Sequence, residues 1–224
     1  SNAIVHFMQY LYEQLDDNSY VFSIFLDFRK AFVCVDHTIL LSKLRHYGIR
    51  DLSLQWFRSY LTNRQQYVSI DNSDSPLRPI THSVPQGSIL GPLLFLVFIN
   101  DLPLTTNFFK FILFADDSTL SCKLADHDIR RMTDDINNNL RHIDDWLTVN
   151  KMAINISKTK FILFSYRKDT ELPQIKLGDG IIHRTDCTKF LGLYIDQHLT
   201  FNRHVNYLTN KLSKNLGILH KMNK

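Results

Sequence analysis

FILFADDSTL, residues 111–120, places two adjacent carboxylates, Asp116 and Asp117, inside an apolar and aromatic run. Burying a carboxylate without a partner is unfavourable, so a pair in this setting requires compensation. The alternation of residue types on either side predicts a β-hairpin with both acids at its tip, where they are well placed to hold a divalent cation. The ordinary alternative is a solvent-exposed pair, and on these two residues alone both interpretations stay open.

A third carboxylate belongs to another strand-like run. Residues 21–28, VFSIFLDF, are rich in β-branched and aromatic side chains and carry Asp27 near their end. If the two strands lie side by side, Asp27, Asp116 and Asp117 would form an oxygen-rich site for two Mg²⁺ ions about 3.5–4 Å apart, an arrangement used in phosphoryl transfer. The sequence permits this adjacency without proving it.

Five segments resemble, in the family's order, motifs A to E of the reverse transcriptases of non-LTR (LINE-type) retrotransposons. They are LDFRKAF (26–32) with VDH (35–37), SVPQGSILGPLLF (83–95) with INDL (99–102), FADD (114–117), NISKTK (155–160) and KFLGLYID (189–196). One such match would carry little weight, whereas five in order are specific.

The resemblance implies an RNA-directed DNA polymerase. It implies that Asp27 and Asp116 bind two Mg²⁺ ions, for which Mn²⁺ can substitute, and that Asp117 assists them. The primer 3′-hydroxyl would then attack the α-phosphate of a deoxynucleoside triphosphate, and pyrophosphate would leave. The implied partners are an RNA template, a DNA primer and deoxynucleoside triphosphates. The implied nucleotide-binding residues are Phe28, Phe32, Gln86 and Gly87, and the implied general acid is Lys158.

Several of these residues also have a physical interpretation and an ordinary alternative. Gly87 lacks a Cβ and would let the backbone approach a nucleotide, or would simply open a helix, while Gln86 offers a donor and an acceptor. Phe32 could exclude a 2′-hydroxyl by shape, as the family's steric gate does, or pack in the core. Lys158 could protonate or hold departing pyrophosphate, or be an ordinary surface lysine.

The composition fits a nucleic-acid partner without requiring one. A formal net charge of +4 is a mild basic excess, so affinity for a polyanion would come from local patches. Candidate contributors are Arg58, Arg64, Lys151, Lys158, Lys160, Arg203, Lys211 and Lys214, with Trp56, Tyr60, Tyr67 and Trp146 available for stacking or packing.

Cysteine usage and hydropathy suggest a compartment. Cys34, Cys122 and Cys187 are widely spaced, which argues against a zinc site or a disulfide framework and favours an intracellular protein. No apolar run approaches the length of a membrane span, so no membrane partner is predicted. The resemblance adds an expectation of action in the nucleus.

The predicted fold class is α+β, a polymerase palm in which helices pack on one face of an antiparallel sheet. The predicted helices span residues 4–15, 37–47, 52–61, 92–101, 126–148 and 205–222. The predicted strands span 21–28, 66–71, 80–84, 152–164 and 190–196, with hairpins over 110–122 and 175–184. Residues 1–3 are predicted to be a tag scar, 4–200 a palm core with residual fingers elements, and 201–224 a helix leading into a truncated thumb. The fingers, thumb and endonuclease regions of the parent protein are expected to be largely missing.

Departures from the family leave other functions open. Val33 stands where the family usually has an acid, Ser83 where it usually has glycine, and Arg29 where a small residue is common. One alternative is a catalytically incompetent fragment or decayed element that acts as a nucleic-acid-binding or protein-interaction module. Another is a different palm-like two-metal enzyme, such as a nucleotide cyclase, against which the Pro-Gln-Gly loop is the best evidence.

Overall fold

The computed structural model describes residues 2–16, 19–85, 87–124, 129–166 and 174–222. Helices and strands are interspersed along the described chain. In chain order they are α1 (Asn2–Asp16), β1 (Tyr20–Asp27), α2 (His37–His46), α3 (Asp51–Leu61), β2 (Gln65–Gln66), β3 (Ser69–Ile70), β4 (Ser73–Asp74), β5 (Arg78–Pro79), α4 (Leu90–Ile99), β6 (Lys110–Phe114), β7 (Asp117–Leu124), α5 (Ile129–Val149), β8 (Lys160–Phe164), β9 (Ile175–Leu177), β10 (Gly180–Arg184), β11 (Cys187–Phe190), β12 (Leu193–Asp196) and α6 (Asn202–Met222). A short 3₁₀-helix, Leu102–Thr105, lies between α4 and β6.

Strand β1 lies inside the main sheet, whose six strands are ordered β6-β7-β1-β8-β10-β9. It pairs antiparallel with both neighbours, and its ladder with β7 runs from Tyr20 opposite Leu124 to Asp27 opposite Asp117. The β8–β10 pair is parallel. The chain is therefore a mixed α+β fold with an antiparallel-rich central sheet.

Both faces of this sheet are covered by helices. Phe22, Ile24 and Leu26 of β1 lie in a large core with buried residues of α2, α4 and α5. Val21, on the opposite face, lies in a second cluster with Phe7 of α1 and with the β11–β12 hairpin. The prediction that helices pack on one face only is wrong. The sequence of β1 is apolar on both faces, so each face requires cover.

The helices lie where the sequence predicts them, with ends that differ by a few residues. In α5 the residues Met132, Ile136, Leu140 and Ile143 are all buried, so their three- and four-residue spacing marks the face that enters the core. The first predicted residues of that helix, 126–128, lie outside the described residues. Helix α1 begins at Asn2, so part of the predicted tag scar is helical.

The strands predicted at 66–71 and 80–84 are largely wrong. Residues 65–79 form two separate two-residue pairs, β2 with β5 and β3 with β4, and all of these strand residues are exposed. The later segment hydrogen-bonds to the loop after β1 instead. The backbone N–H groups of Ser83 and Val84 donate to the carbonyls of Val35 and Phe32 at 2.8 and 2.9 Å.

Two other predicted strands need correction. Of the region 152–164, only Lys160–Phe164 forms a strand, β8, because the residues before it hydrogen-bond to the end of β1. The single strand predicted at 190–196 is the second half of a hairpin, β11–β12. Its turn residues Leu191 and Gly192 both have positive φ, as the favoured two-residue hairpin turns require.

A lysine–aspartate pair joins α2 to α4 and α5. Lys43 Nζ donates to Asp101 Oδ1 and to the Phe98 carbonyl oxygen, both at 2.7 Å, and Trp146 Nε1 donates to the same Asp101 oxygen at 3.0 Å. Burial lowers the pKa of Lys43, although Asp101 opposes the shift. Of the two roles predicted for Trp146, stacking or packing, the structure shows packing, because its side chain is buried in the core.

All three cysteines are free. Burial raises the pKa of the Cys122 thiol, which makes it a poor nucleophile. Among the helices in the described ranges, none combines the length and the apolar character needed to cross a bilayer.

Two neighbouring leucines of α4 test which face of that helix supports the fold. Leu94 is 1% exposed and Leu93 is 54% exposed. We expect Leu94→Ala to lower the free energy of unfolding by about 2–5 kcal/mol, because it removes buried methyl groups and leaves a cavity. Leu93→Ala is the matched control and should change it by less than about 0.5 kcal/mol. Urea denaturation measures both values, and equal losses would contradict the assigned face.

Candidate active site

The three carboxylates come together at one end of the sheet. β1 ends at Asp27 and β7 begins at Asp117, directly opposite it in the ladder. Opposed residues of an antiparallel pair project from the same face, so these two carboxylates share a face. Asp116 lies beside them in the two-residue turn between β6 and β7. The predicted acidic hairpin and its adjacency to the Asp27 strand are both confirmed.

The hairpin turn has an unusual backbone. Ala115, which precedes Asp116 in the turn, has a φ of 51°. Positive φ is disfavoured for a residue with a Cβ, and such outliers cluster at functional sites. This conformation sets the direction in which the following carboxylate leaves the backbone.

The carboxyl of Asp117 has a raised affinity for protons. Asp117 is exposed as a residue, yet partial burial of its carboxylate, and then the charges of Asp116 and Asp27, raise the pKa of Asp117 above its ordinary value. Asp117 therefore lies within the electrostatic influence of both neighbouring carboxylates. A divalent cation at this end of the sheet would relieve that repulsion.

An open cavity of about 390 Å³ lies against two of the three acids. Its lining comprises Asp27, Phe28, Arg29, Lys30, Ala31, Phe32, Asp116, Asn155 and Lys158. The structure therefore brings five of the eight predicted site residues to one cavity. Asp117 and Gly87 are outside this lining, and Gln86 lies outside the described residues.

The donor set of the cavity suits Mg²⁺ bound with water and phosphate ligands. In the described ranges, no three histidine, cysteine or acidic side chains are arranged as a ready-made metal site. Mg²⁺ commonly takes only one or two carboxylates from a protein and completes its shell with water and substrate phosphates. Asp27 and Asp116 fit that pattern, whereas a cage built from all three acids does not.

A loop before β8 fixes the backbone of Asp27. The N–H of Asp27 donates to Thr159 Oγ1 at 3.1 Å, and its carbonyl accepts from the N–H of Asn155 at 2.7 Å. The N–H of Arg29 donates to the carbonyl of Ala153 at 2.7 Å. These contacts also bring Asn155 and Lys158 to the cavity. The sequence identifies Lys158 but misses Asn155, which stands three residues earlier in the same motif.

Two further cavity residues, Arg29 and Lys30, are missed by the sequence argument although they stand two and three residues after Asp27. Both are exposed, so together with Lys158 they place three cationic side chains around the two carboxylates. Lys30 also has a positive φ of 52°, which turns the chain sharply after the strand. Their position beside Asp27 was the available signal.

The two phenylalanines differ in their surroundings. Phe28 is buried in the large core. The Phe32 ring is half-buried and packs against Phe95 of α4, with centroids 4.7 Å apart. Phe32 therefore satisfies its ordinary interpretation as a packing residue and also lines the cavity.

The described residues around position 86 begin beside the loop that carries Phe32, because the N–H of Val84 donates to the carbonyl of Phe32 at 2.9 Å. Gly87 has a φ of 80°, which favours glycine, and an added Cβ would meet no atom within 4 Å. At Gly91 an added Cβ would lie 2.4 Å from the carbonyl oxygen of Pro85. Ser88 Oγ donates to that oxygen at 2.7 Å and accepts from the N–H of Gly91 at 2.9 Å. Close packing at the entry to α4 thus explains Gly91.

The side chain of Asp36 links the loop after β1 to the start of α2 and to Lys151. Its Oδ1 accepts from the N–H groups of Thr38 and Ile39 at the start of α2, and its Oδ2 lies 2.8 Å from Lys151 Nζ. Burial alone would raise the pKa of Asp36, but the hydrogen bond from Lys151 and those from the two backbone amides lower it below its ordinary value. Lys151, a predicted nucleic-acid contact, is therefore engaged in a structural ion pair.

The sequence profile of one protein family, described as reverse transcriptase (RNA-dependent DNA polymerase), matches residues 3–195. The chain belongs to the reverse transcriptase family. The resemblance inferred from five motifs is confirmed.

Relatives with curated names come from mobile elements. The RNA-directed DNA polymerase from mobile element jockey of Drosophila melanogaster is 31% identical over 200 residues, covering 86% of this chain and 21% of that protein. A probable RNA-directed DNA polymerase from transposon X-element of the same organism is 30% identical over 205 residues, covering 88% of this chain and 22% of that protein. The chain thus spans about a fifth of the length of these relatives.

Solved telomerase structures share the fold. Telomerase from Candida tropicalis, in complex with a TWJ fragment of telomeric RNA, aligns with a TM-score of 0.57 at 11% identity, over 90% of this chain and 32% of that one. The corresponding complex from Candida albicans aligns with a TM-score of 0.55 at 15% identity, over 84% of this chain and 32% of that one. At these identities the likeness concerns the reverse transcriptase fold alone.

The charge repulsion at the site has a consequence for stability. The pKa of Asp117 is higher in the folded chain than its ordinary value of 3.8, so ionisation of this carboxyl disfavours folding. This destabilisation is absent at pH values below the pKa of Asp117 in the unfolded chain. It is complete at pH values above the pKa of Asp117 in the folded chain. We therefore expect Asp117→Asn to raise the free energy of unfolding near pH 7, by less than about 1 kcal/mol because water screens an exposed group.

Urea denaturation in metal-free buffer measures this change. The gain should vanish at about pH 3, where the carboxyl is protonated in both states. Asp135→Asn, at an exposed position of α5, is the matched control. A gain that persists at low pH, or a loss near pH 7, would contradict the repulsion.

Proposed function

We propose that this chain is the catalytic core of an RNA-directed DNA polymerase that extends a primer by two-metal phosphoryl transfer. The observation that carries the proposal is the cavity that joins Asp27 and Asp116 to Lys158 and Phe32. Membership of the reverse transcriptase family supports it. An RNA template, a DNA primer and deoxynucleoside triphosphates are the proposed partners.

Asp27 and Asp116 are the proposed metal ligands. Their oxygen donors suit Mg²⁺, with Mn²⁺ as a substitute, and two ions are proposed. Divalent cations in such a site supply Lewis acidity to an attacking hydroxyl and to a leaving phosphate. Asp117 assists through its charge, which adds to the negative potential that attracts the cations.

The cationic side chains around the cavity are proposed to handle the phosphates. Lys158 is exposed and has a flexible ammonium group, which suits it to hold or protonate departing pyrophosphate. Arg29 offers a planar fork of donors that matches phosphate oxygens, and Lys30 adds a point charge. Lys158 stands on the loop that also fixes the backbone of Asp27, so the two groups are positioned together.

Phe32 is proposed to select the sugar. Its ring is held against Phe95 and lines the same cavity as Asp27. A rigid ring in that position excludes a 2′-hydroxyl by shape and so favours deoxynucleotides. Phe28, Gln86 and Gly87 complete the proposed nucleotide pocket.

In architectural terms, we propose that the central sheet with its helices is a polymerase palm. The segments around β2–β5 would be residual fingers elements, and α6 would lead into a thumb. Action in the nucleus is proposed from the same relationship. The relatives are about four times as long as this chain, and the proposal does not extend to their other regions.

Substitutions that remove the negative charge of each carboxylate test the metal ligands. We expect Asp27→Asn and Asp116→Asn to lower primer extension on an RNA template with Mg²⁺ by at least about a hundredfold. Asp135→Asn should leave it unchanged. The assay uses the chain alone and within a longer protein that contains it. Absence of extension by the longer unsubstituted protein would contradict the proposal and favour a binding module without catalysis.

Metal binding gives a readout that does not depend on activity. Titration with Mn²⁺, followed by electron paramagnetic resonance, should show binding that is weakened in Asp27→Asn and Asp116→Asn but not in Asp135→Asn. Equal binding by all of these proteins would show that the metal lies elsewhere.

Lys158 and Lys160 form a matched pair, because both are exposed and only Lys158 lines the cavity. We expect Lys158→Met to lower the rate of nucleotide addition about a hundredfold at saturating nucleotide, the lower end of general acid effects. Lys160→Met should have little effect. Single-turnover kinetics measures the rate, and equal effects of the two substitutions would contradict the role of Lys158.

A further inference from the structure

A second open cavity, of about 740 Å³, lies between α2 and α3. Arg45 and His46 line it from the end of α2, Arg50 and Asp51 from the start of α3, and Arg58 from about two turns farther along. It shares no lining residue with the cavity at Asp27. We name this cavity the α2–α3 cleft.

Among the described residues, no acidic side chain forms an ion pair with the three arginines of the cleft. Across the described residues, the side chains of Arg45, Arg50 and Arg58 make no ion pair or hydrogen bond, and Asp51 is the single acid of the lining. The surrounding sequence has the same bias. Residues 37–70 contain five lysine and arginine residues and one acidic residue.

A cleft of similar size elsewhere in the chain is lined by more acidic than basic residues. It measures about 720 Å³ and lies between α5 and the β9–β10 hairpin. Its lining combines Arg141 and Lys176 with Asp134, Asp144 and Asp179. Concave surface alone therefore does not gather positive charge in this chain, and the excess in the α2–α3 cleft is a local property.

We propose that the α2–α3 cleft binds the phosphodiester backbone of a nucleic-acid strand. Guanidinium groups match phosphate oxygens through paired hydrogen bonds, and arginines from two helices can contact successive phosphates. The lining contains no phenylalanine, tyrosine or tryptophan on which a base could stack, so the site reads the backbone and not the sequence. Arg58 is among the predicted nucleic-acid contacts, whereas Arg45 and Arg50 are not.

The cleft is independent of the polymerase site in position. Its lining comes from α2, α3 and the segment between them, whereas the cavity at Asp27 is lined by the end of β1, the loop that follows it, Asp116 and the segment before β8. The choice of nucleic acid as the ligand rests on the proposed function, but binding at the cleft requires neither divalent cations nor catalysis.

Two charge-matched double variants test the proposal. The cleft variant is Arg45→Gln with Arg58→Gln, and the control is Arg141→Gln with Lys176→Gln, so each removes two positive charges. Fluorescence anisotropy with a short single-stranded RNA, in the presence of a chelator, measures affinity over a series of salt concentrations. We expect the cleft variant to bind about tenfold more weakly and its salt slope to fall by about 1.4. The control variant should bind as the parent does.

A variant that keeps both positive charges distinguishes an effect of lost charge from an effect of lost folding. Arg45→Lys with Arg58→Lys keeps both charges, so it should retain the salt slope while losing part of the affinity. Single-stranded DNA of the same sequence should behave like RNA, because the backbone is the ligand. Circular dichroism should show the same helix content in every variant.

Three outcomes would overturn the proposal. The first is parent-like RNA binding by the cleft variant, and the second is an equal loss in both glutamine variants, which would indicate a diffuse charge effect. The third is protection of residues 42–58 from hydrogen exchange by inorganic phosphate but not by RNA, which would indicate a small-anion site. None of these depends on primer extension, so failure here and failure of the proposed polymerase function are distinguishable.

Discussion

The continuous ladder between β1 and β7 is the constraint on which the site depends. It sets Asp27 opposite Asp117 and places the turn with Asp116 beside them. Side chains such as Phe22 and Ile24 are fully buried, and each contributes about 1.5–3 kcal/mol. Two charges 4 Å apart in water repel by only about 1 kcal/mol. Hydrophobic burial along the strand therefore outweighs the repulsion at its end, where solvent also screens the charges.

Rigidity at the site comes from backbone hydrogen bonds between segments far apart in sequence. Asn155 and Thr159 bond to the backbone of Asp27, and Val84 bonds to the carbonyl of Phe32. Asp36 adds a charged link between the start of α2 and Lys151. Side chains mounted on such supported backbone stay close to one geometry, which is the requirement for placing reacting groups within fractions of an ångström.

The same long-range bonds explain which predictions from sequence succeed. Helix α5 and the acidic hairpin are predictable because their patterns are local, a three- and four-residue apolar spacing in one and an acidic tip between apolar runs in the other. The segment 80–84 resembles a strand but hydrogen-bonds to the loop after β1, and 152–159 resembles one but hydrogen-bonds to Asp27 at the end of β1 and to Arg29. No local pattern shows these partners. The sequence does not predict that α1 packs on the second face of β1. A strand that is apolar on both faces indicates burial on both sides but does not show which elements pack there. Asn155 and the arginines of the α2–α3 cleft are brought to their cavities by tertiary packing.

The distribution of charge separates two tasks that a polymerase must perform. At the cavity beside Asp27, the charges of Arg29, Lys30 and Lys158 are nearly balanced by Asp27 and Asp116, so before cations bind the cavity offers little attraction for a polyanion. A net charge of +4 spread evenly over 224 residues would not supply that attraction either. Concentrating unpaired arginines in the α2–α3 cleft does, because local charge raises the concentration of an oppositely charged ligand within about one Debye length, roughly 8–10 Å at moderate salt. A site that holds metal and a site that captures the strand make opposite electrostatic demands, and two cavities with no shared lining residue let one chain meet both.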